Sequence, residues 1–153
     1  MMTTVSPPDL SSRPYQLAVE QHIGVSPATL YEAWTERFDA WFAEPGSVLM
    51  RGEVDAVFFF ETWYEGERHP HYGRFLALVP DEHIEMTWVT SATNGAETVV
   101  SVDLEPVGAG THLRLTHSGF PDEESRRRHA DACPKVLAQL DDRLTASDRR
   151  SRR

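Results

Sequence analysis

The stretch LTHSGFPDEESRRRHADACPKVL, Leu115 to Leu137, gathers residue types that could do chemistry: His117, Ser118, His129 and Cys133. His129 and Cys133 stand four apart, on one face of a helix, and with His117 they suggest a zinc site. No second cysteine or inward carboxylate completes a usual ligand set, and Pro134 disturbs the spacing, so core packing explains these residues better. Cys133 reads as a small, inert core residue. Ser118 and His117 are neighbours on a strand and face opposite ways, so they do not pair as nucleophile and base. His117 ends an inward apolar row beside Gly119. It is either satisfied by a backbone carbonyl or orients a ligand in a mostly apolar pocket. In the second case it could also carry a proton, with Tyr64, Tyr72 or Arg74 near the mouth.

Other groups have simpler readings. His69 and His71 flank Pro70 beside Glu67 and Arg68, and read as solvated residues of a hairpin turn. Asp55 and Glu61 fall on the face opposite Phe58 and Phe60 and read as solvated. The acidic run Asp122 to Glu124 suits a helix N-terminus, and Arg126 to Arg128 makes a solvated face.

These side chains must be positioned by an alternation of elements. Tyr15, Leu17, Val19 and Ile23 have the period of a half-buried strand. Ser26 caps a helix with Pro27 at its first position and Val25 packed back on Leu30. Leu30, Ala33, Trp34, Phe38, Trp41 and Phe42 keep helical spacing, with a break near Glu36 and a stop at Pro45-Gly46. Strands follow at Val54–Tyr64, Tyr72–Val79, His83–Thr90, Glu97–Glu105 and Thr111–His117, joined by connections short enough to force antiparallel pairing. Parity points Val54, Phe58, Phe60, Ile84, Met86, Trp88, Val100, Val102, Leu104, Leu113, Leu115 and His117 inward, with Glu85, Thr87, Ser101, Asp103, Arg114 and Thr116 toward water. Val57 and Phe59 take the other face. The last segment carries an apolar helical stripe of His129, Cys133, Val136, Leu137, Leu140 and Leu144. Pro134 predicts a short helix to about Asp131 and a longer one restarting near Pro134. The fold class is therefore α+β: a curved antiparallel sheet of six strands around a long C-terminal helix, with two short helices after the first strand.

Composition bounds the rest. The 153 residues, 40% hydrophobic and 10% aromatic, supply one core and predict one domain over 15–146. A proline-rich flexible leader covers 1–14, and a disordered basic tail covers 147–153. The net charge of -9 argues against a nucleic-acid partner. The start lacks the regions of a secretory signal, no apolar run approaches membrane-spanning length, and the one cysteine forms no intrachain disulfide, which together predict a cytoplasmic protein.

The words SPATLYEAWTE at Ser26 to Glu36, FDAWF at Phe38 to Phe42, GRFLALVPDEHIEMTW at Gly73 to Trp88 and THLRLTHSGFPDEESRRRH at Thr111 to His129 carry a resemblance over about Tyr15 to Leu144. The chain resembles the START-like helix-grip superfamily, and within it bacterial domains similar to the C-terminal domain of the activator of heat-shock-protein-90 ATPase. The resemblance implies a pocket for a lipophilic or aromatic small molecule between sheet and helix. Its expected lining is Phe58, Phe60, Phe75, Trp88, His117, Cys133 and Leu137, with Phe75 taken from family geometry. Family members usually show Gly-Trp where this chain has Ala132-Cys133, which implies a wider or differently shaped pocket. No cofactor is implied. Two alternatives stand beside binding: a cyclase or aromatase-like enzyme with His117 as acid or base, and a chaperone or regulatory partner-binding domain using Val57, Phe59 and Trp63. A homodimer is compatible with either.

Overall fold

A computed structural model describes residues 6–151, without the side chain of Ser151. It holds six strands, β1 (Tyr15–Ile23), β2 (Val57–Tyr64), β3 (Glu67–Val79), β4 (His83–Trp88), β5 (Thr98–Val107) and β6 (Gly110–Phe120), and two α-helices, α1 (Pro27–Thr35) and α2 (Glu123–Ser151). All neighbouring strands are antiparallel, in the order β1-β6-β5-β4-β3-β2. Two tight turns set much of this order. Glu65-Gly66 joins β2 to β3 and Gly108 opens the turn into β6, and Glu65, Gly66 and Gly108 all have positive φ.

α1 starts as its sequence demands. Ser26 Oγ accepts the Thr29 N–H at 3.2 Å, Pro27 occupies the first turn, and the helix ends at Glu36. The second short helix is a single 3-10 turn at Phe38–Ala40. At the start of α2, Asp122 Oδ1 accepts the Ser125 N–H at 2.8 Å. α2 lies chiefly over β1 and also touches β6 and the 3-10 turn at Ser91–Thr93. Three polar links fix it: Ser125 Oγ donates to Ala92 O, Gln139 Nε2 to Trp41 O, and Gly24 N to Asp141 Oδ1. Leu137, Leu140 and Leu144 deliver the buried stripe, while β2, β3 and β4 meet the aromatic rings that follow α1.

Several expectations change. α2 is one helix, with the exposed Pro134 inside it: loss of one N–H···O bond does not interrupt a helix fixed on both sides of it by packing and side-chain links. The helix also runs on through residues 147–151, where Arg149 and Arg150 suit its negative end, and only residues 152–153 of the expected tail lie outside the described residues. Val54 is exposed, because β2 begins at Val57 after Asp55 takes a positive φ. β4 ends at Trp88, where the Thr90-capped turn takes over. Thr87 is fully buried on the face expected to meet water, its Oγ1 accepting the Arg74 N–H at 3.0 Å. Residues 6–14, expected as the leader, meet that outer face: Arg13 donates to Glu97 O at 2.7 Å, Arg74 to Ser6 O at 2.6 Å, and Leu10 packs over Gly119. Residues 1–5 lie outside the described residues.

Candidate functional site

Three histidines converge beside Trp88 at the seam between sheet and α2. His71 lies on β3, His117 on β6 and His129 on the first turns of α2. Ring centroids are 5.1 Å apart for His71 and Trp88, 6.5 Å for Trp88 and His117, and 5.0 Å for His117 and His129. Aromatic rings surround them: Phe60 stacks on His71 at 4.7 Å, Phe42 meets His71 edge-on, and Phe120 lies 4.3 Å from His117 and 4.8 Å from His129.

Burial decides their charge. It pushes His71 down to about 4, His117 well below the usual histidine range, and His129 down in the same direction. The proximity of His129 adds to the effect on His117. All three are therefore neutral imidazoles near pH 7.

Hydrogen bonds fix which nitrogen of each ring keeps a lone pair. Thr98 Oγ1 donates its one proton to Trp88 O at 2.6 Å, so at 2.7 Å from His117 Nε2 it must accept, and the proton sits on Nε2. His71 Nδ1 donates to His69 O at 2.8 Å, and His129 Nδ1 donates to Ser125 O at 2.8 Å. The acceptor nitrogens left are His117 Nδ1, His71 Nε2 and His129 Nε2. An aromatic seam with neutral imidazole lone pairs can accept hydrogen bonds from hydroxyl groups, and can take a proton from an acid of suitable strength.

Of the seven lining residues expected, Phe58, Phe60, Phe75 and Leu137 are buried in one continuous core, with Phe58 packed on both Phe60 and Phe75. Trp88 and Cys133 are half-buried at its margin. His117 is buried, satisfied by a threonine hydroxyl that relays it to a backbone carbonyl. Burial pushes the Cys133 thiol up to about 11, which leaves it unreactive at neutral pH. Among the described residues no three His, Cys, Asp or Glu side chains are placed to hold a metal ion.

Sequence reasoning missed His71. Expected in a solvated turn, it is a buried strand residue opposite Phe60. The available signal was the length of β2: a two-residue turn at Glu65-Gly66 obliges Glu67 onward to pair with it, which puts His71 on the inward face.

A groove of about 550 Å³ opens on the other face of the sheet, lined by Glu20, Val79, Glu82, His83, Leu104 and neighbouring polar residues, and shares no residue with the seam. Inside it His83 Nδ1 meets Asp103 at 2.7 Å and His112 Nε2 meets Glu20 at 3.3 Å.

The family model described as Activator of Hsp90 ATPase homolog 1-like protein matches residues 24–145. Among solved structures, protein CV1439 of Chromobacterium violaceum is 23% identical, with a TM-score of 0.72 over 86% of this chain and 98% of that one. Protein MLL2253 of Mesorhizobium loti is 24% identical, with a TM-score of 0.67 over 86% and 98%. The Aha1 dimer from Colwellia psychrerythraea is 20% identical, with a TM-score of 0.63 over 85% and 96%. At these identities the likeness is one of fold. No curated protein matches the chain.

Proposed function

Starting from the fact that the chain belongs to the Activator of Hsp90 ATPase homolog 1-like family, with the helix-grip fold of its neighbours, we propose that it binds a lipophilic or aromatic small molecule at the seam between the sheet and α2. The observation that carries this reading is the trio of neutral imidazoles set in an aromatic wall. A core that needed only to be stable would gain more from aliphatic packing than from three desolvated histidines. A flat, mostly apolar ligand with one or two hydroxyl donors answers both the rings and the lone pairs.

Access would come beside the half-buried Trp88, His129 and Cys133, with Phe42 shifting on the opposite side. In this reading Phe58, Phe60, Phe75 and Leu137 form the floor, and Trp88, His117 and Cys133 make the contacts that select the ligand. An acid–base reaction is the second reading, favoured by the neutral state of His117, which suits a base and not an acid at pH 7.

Native mass spectrometry of the purified protein under gentle desolvation tests the proposal. A discrete non-metal adduct, or a raised melting temperature with members of a panel of lipids and aromatic polyketides, supports it. Bare protein together with an unmoved melting temperature across the panel sinks it. His117→Ala separates the two readings, since loss of turnover with retained ligand binding marks catalysis.

A further inference from the structure

The outer face of the β2–β3 hairpin carries an apolar band that the described residues leave uncovered. Leu49 bridges to Phe59, Phe59 pairs with Tyr72, and Tyr72 bridges to Val89, so these four residues form a row across the strands. Val57 and Trp63 extend it along β2. Leu49 is 70% exposed, Val57 76%, Trp63 55% and Tyr72 50%, which is unusual company for one patch on a monomer's surface.

We propose that this face is the contact between two copies of this chain, packed sheet face on sheet face about a two-fold axis running along the hairpin. Such an axis sets each β2 residue of one copy opposite the β3 residue that is its own cross-strand partner. Trp63 pairs with Arg68, whose guanidinium carbon sits 5.9 Å from the indole centroid, and Phe59 pairs with Tyr72 at 5.3 Å. Across the axis those cation–aromatic and aromatic–aromatic matches repeat between copies, and Val57 meets the aliphatic stem of Arg74. No like charges are set directly opposite.

Charge selects the same occupant. The chain carries a net charge of -9, yet on this face Arg68 stands 3.8 Å from Glu61 and Arg74 stands 3.2 Å from Glu97, so the patch between Val57 and Arg74 is close to neutral. Two acidic copies therefore meet where neither is acidic. The β2 edge of the sheet, another route by which this hairpin could self-associate, is blocked. Phe59 exchanges both backbone hydrogen bonds with Leu49, and Glu61 O accepts the Glu44 N–H at 2.8 Å, so the face is open while the edge is not.

Sedimentation velocity on the full chain, from about 1 to about 200 μM, reads the result. The wild type is expected to dimerise in that range, and Tyr72→Glu or Trp63→Glu to raise its dissociation constant at least roughly tenfold. Both sites are solvent-facing, so an unchanged melting curve at low concentration shows that the fold survives. If a charged variant melts early, Trp63→Ser gives the same reading with a milder change. A wild type that stays monomeric throughout overturns the proposal, as does a dimer that every folded variant keeps, including the case in which the patch serves a different protein instead.

Discussion

His71 lies flat on Phe60, with ring centroids 4.7 Å apart and planes 16° from parallel. Stacking of this kind suits a neutral imidazole, and burial holds His71 down at about 4. His117 and His129 are shifted the same way. A depressed histidine leaves the unfolded chain binding more protons as pH falls below the ordinary value of 6.5, so stability is full above that pH and is lost on the way down toward 4. Melting temperatures measured from pH 7.5 to 4 should fall steeply in this window, by up to about 1.4 kcal/mol per pH unit for each proton taken up. His71→Phe keeps the stack and should flatten the slope. A flat profile in the wild type would contradict the neutral trio.

The relay from His117 through Thr98 to Trp88 O predicts a stability cost that packing does not. Thr98→Val keeps the shape and removes the hydroxyl, so the buried His117 Nε2–H loses its acceptor. Urea unfolding should show a loss of about 1–3 kcal/mol. The nitrogen shifts of His117 should report movement of the proton from Nε2 toward Nδ1, a signature that a merely smaller side chain would not produce.

The faces of β4, β5 and β6 could be read directly from their alternation, because their pairing runs without a bulge and one face of each is core. β3 could not. Its register against β4 shifts between Phe75 and Ala77, so parity fails at the point where Phe75 must be placed, and only the family resemblance supplied its inward direction. The polar opening of β3, ERHPH, hid a strand for a second reason: proline normally argues against an inner strand. Here β4 pairing stops with the Tyr72–Val89 bridge, so Pro70 has β2 on one side only and withholds no ladder bond on the other. Pro134 misled in the same manner, since local propensity did not foresee the packing that keeps α2 whole.

Gly73 is required by contact. A Cβ there would lie 2.2 Å from Thr87 O and 2.3 Å from Phe58 Cζ, so both the β4 backbone and the ring on the core floor would have to move. Gly73→Ala should cost about 1–3 kcal/mol or more in urea unfolding. The accompanying loss of near-ultraviolet circular dichroism should report the displaced aromatic rings; a variant as stable as wild type would show that β3 does not lie this close.

Cys133, although only half-buried, should behave as a desolvated thiol. With its ionisation pushed up to about 11, the thiolate at pH 8 amounts to about one part in a thousand, and the rate of reaction with an aromatic disulfide reagent follows that fraction. The native protein should react far more slowly than glutathione and approach the free-thiol rate only in denaturant. Rapid labelling of native protein would place Cys133 in open solvent or beside a positive charge.

The same residue tests where the ligand sits. Cys133 is half-buried on the α2 face that packs on the core, one helical turn from His129, at the position where the resemblance implies a tryptophan and this chain has the smaller side chain. If the seam takes a flat molecule beside Trp88 and His129, Cys133→Trp fills part of that space with a side chain the fold can accommodate at its half-open margin. The variant should melt within a few degrees of wild type, yet lose most of any melting-temperature increase that a bound lipid or aromatic polyketide gives the wild type. Cys133→Ser is the control, since it keeps the volume and should retain binding. If Cys133→Trp binds the same compound undiminished, the ligand lies elsewhere, and the open groove beside His83 and His112 becomes the place to look.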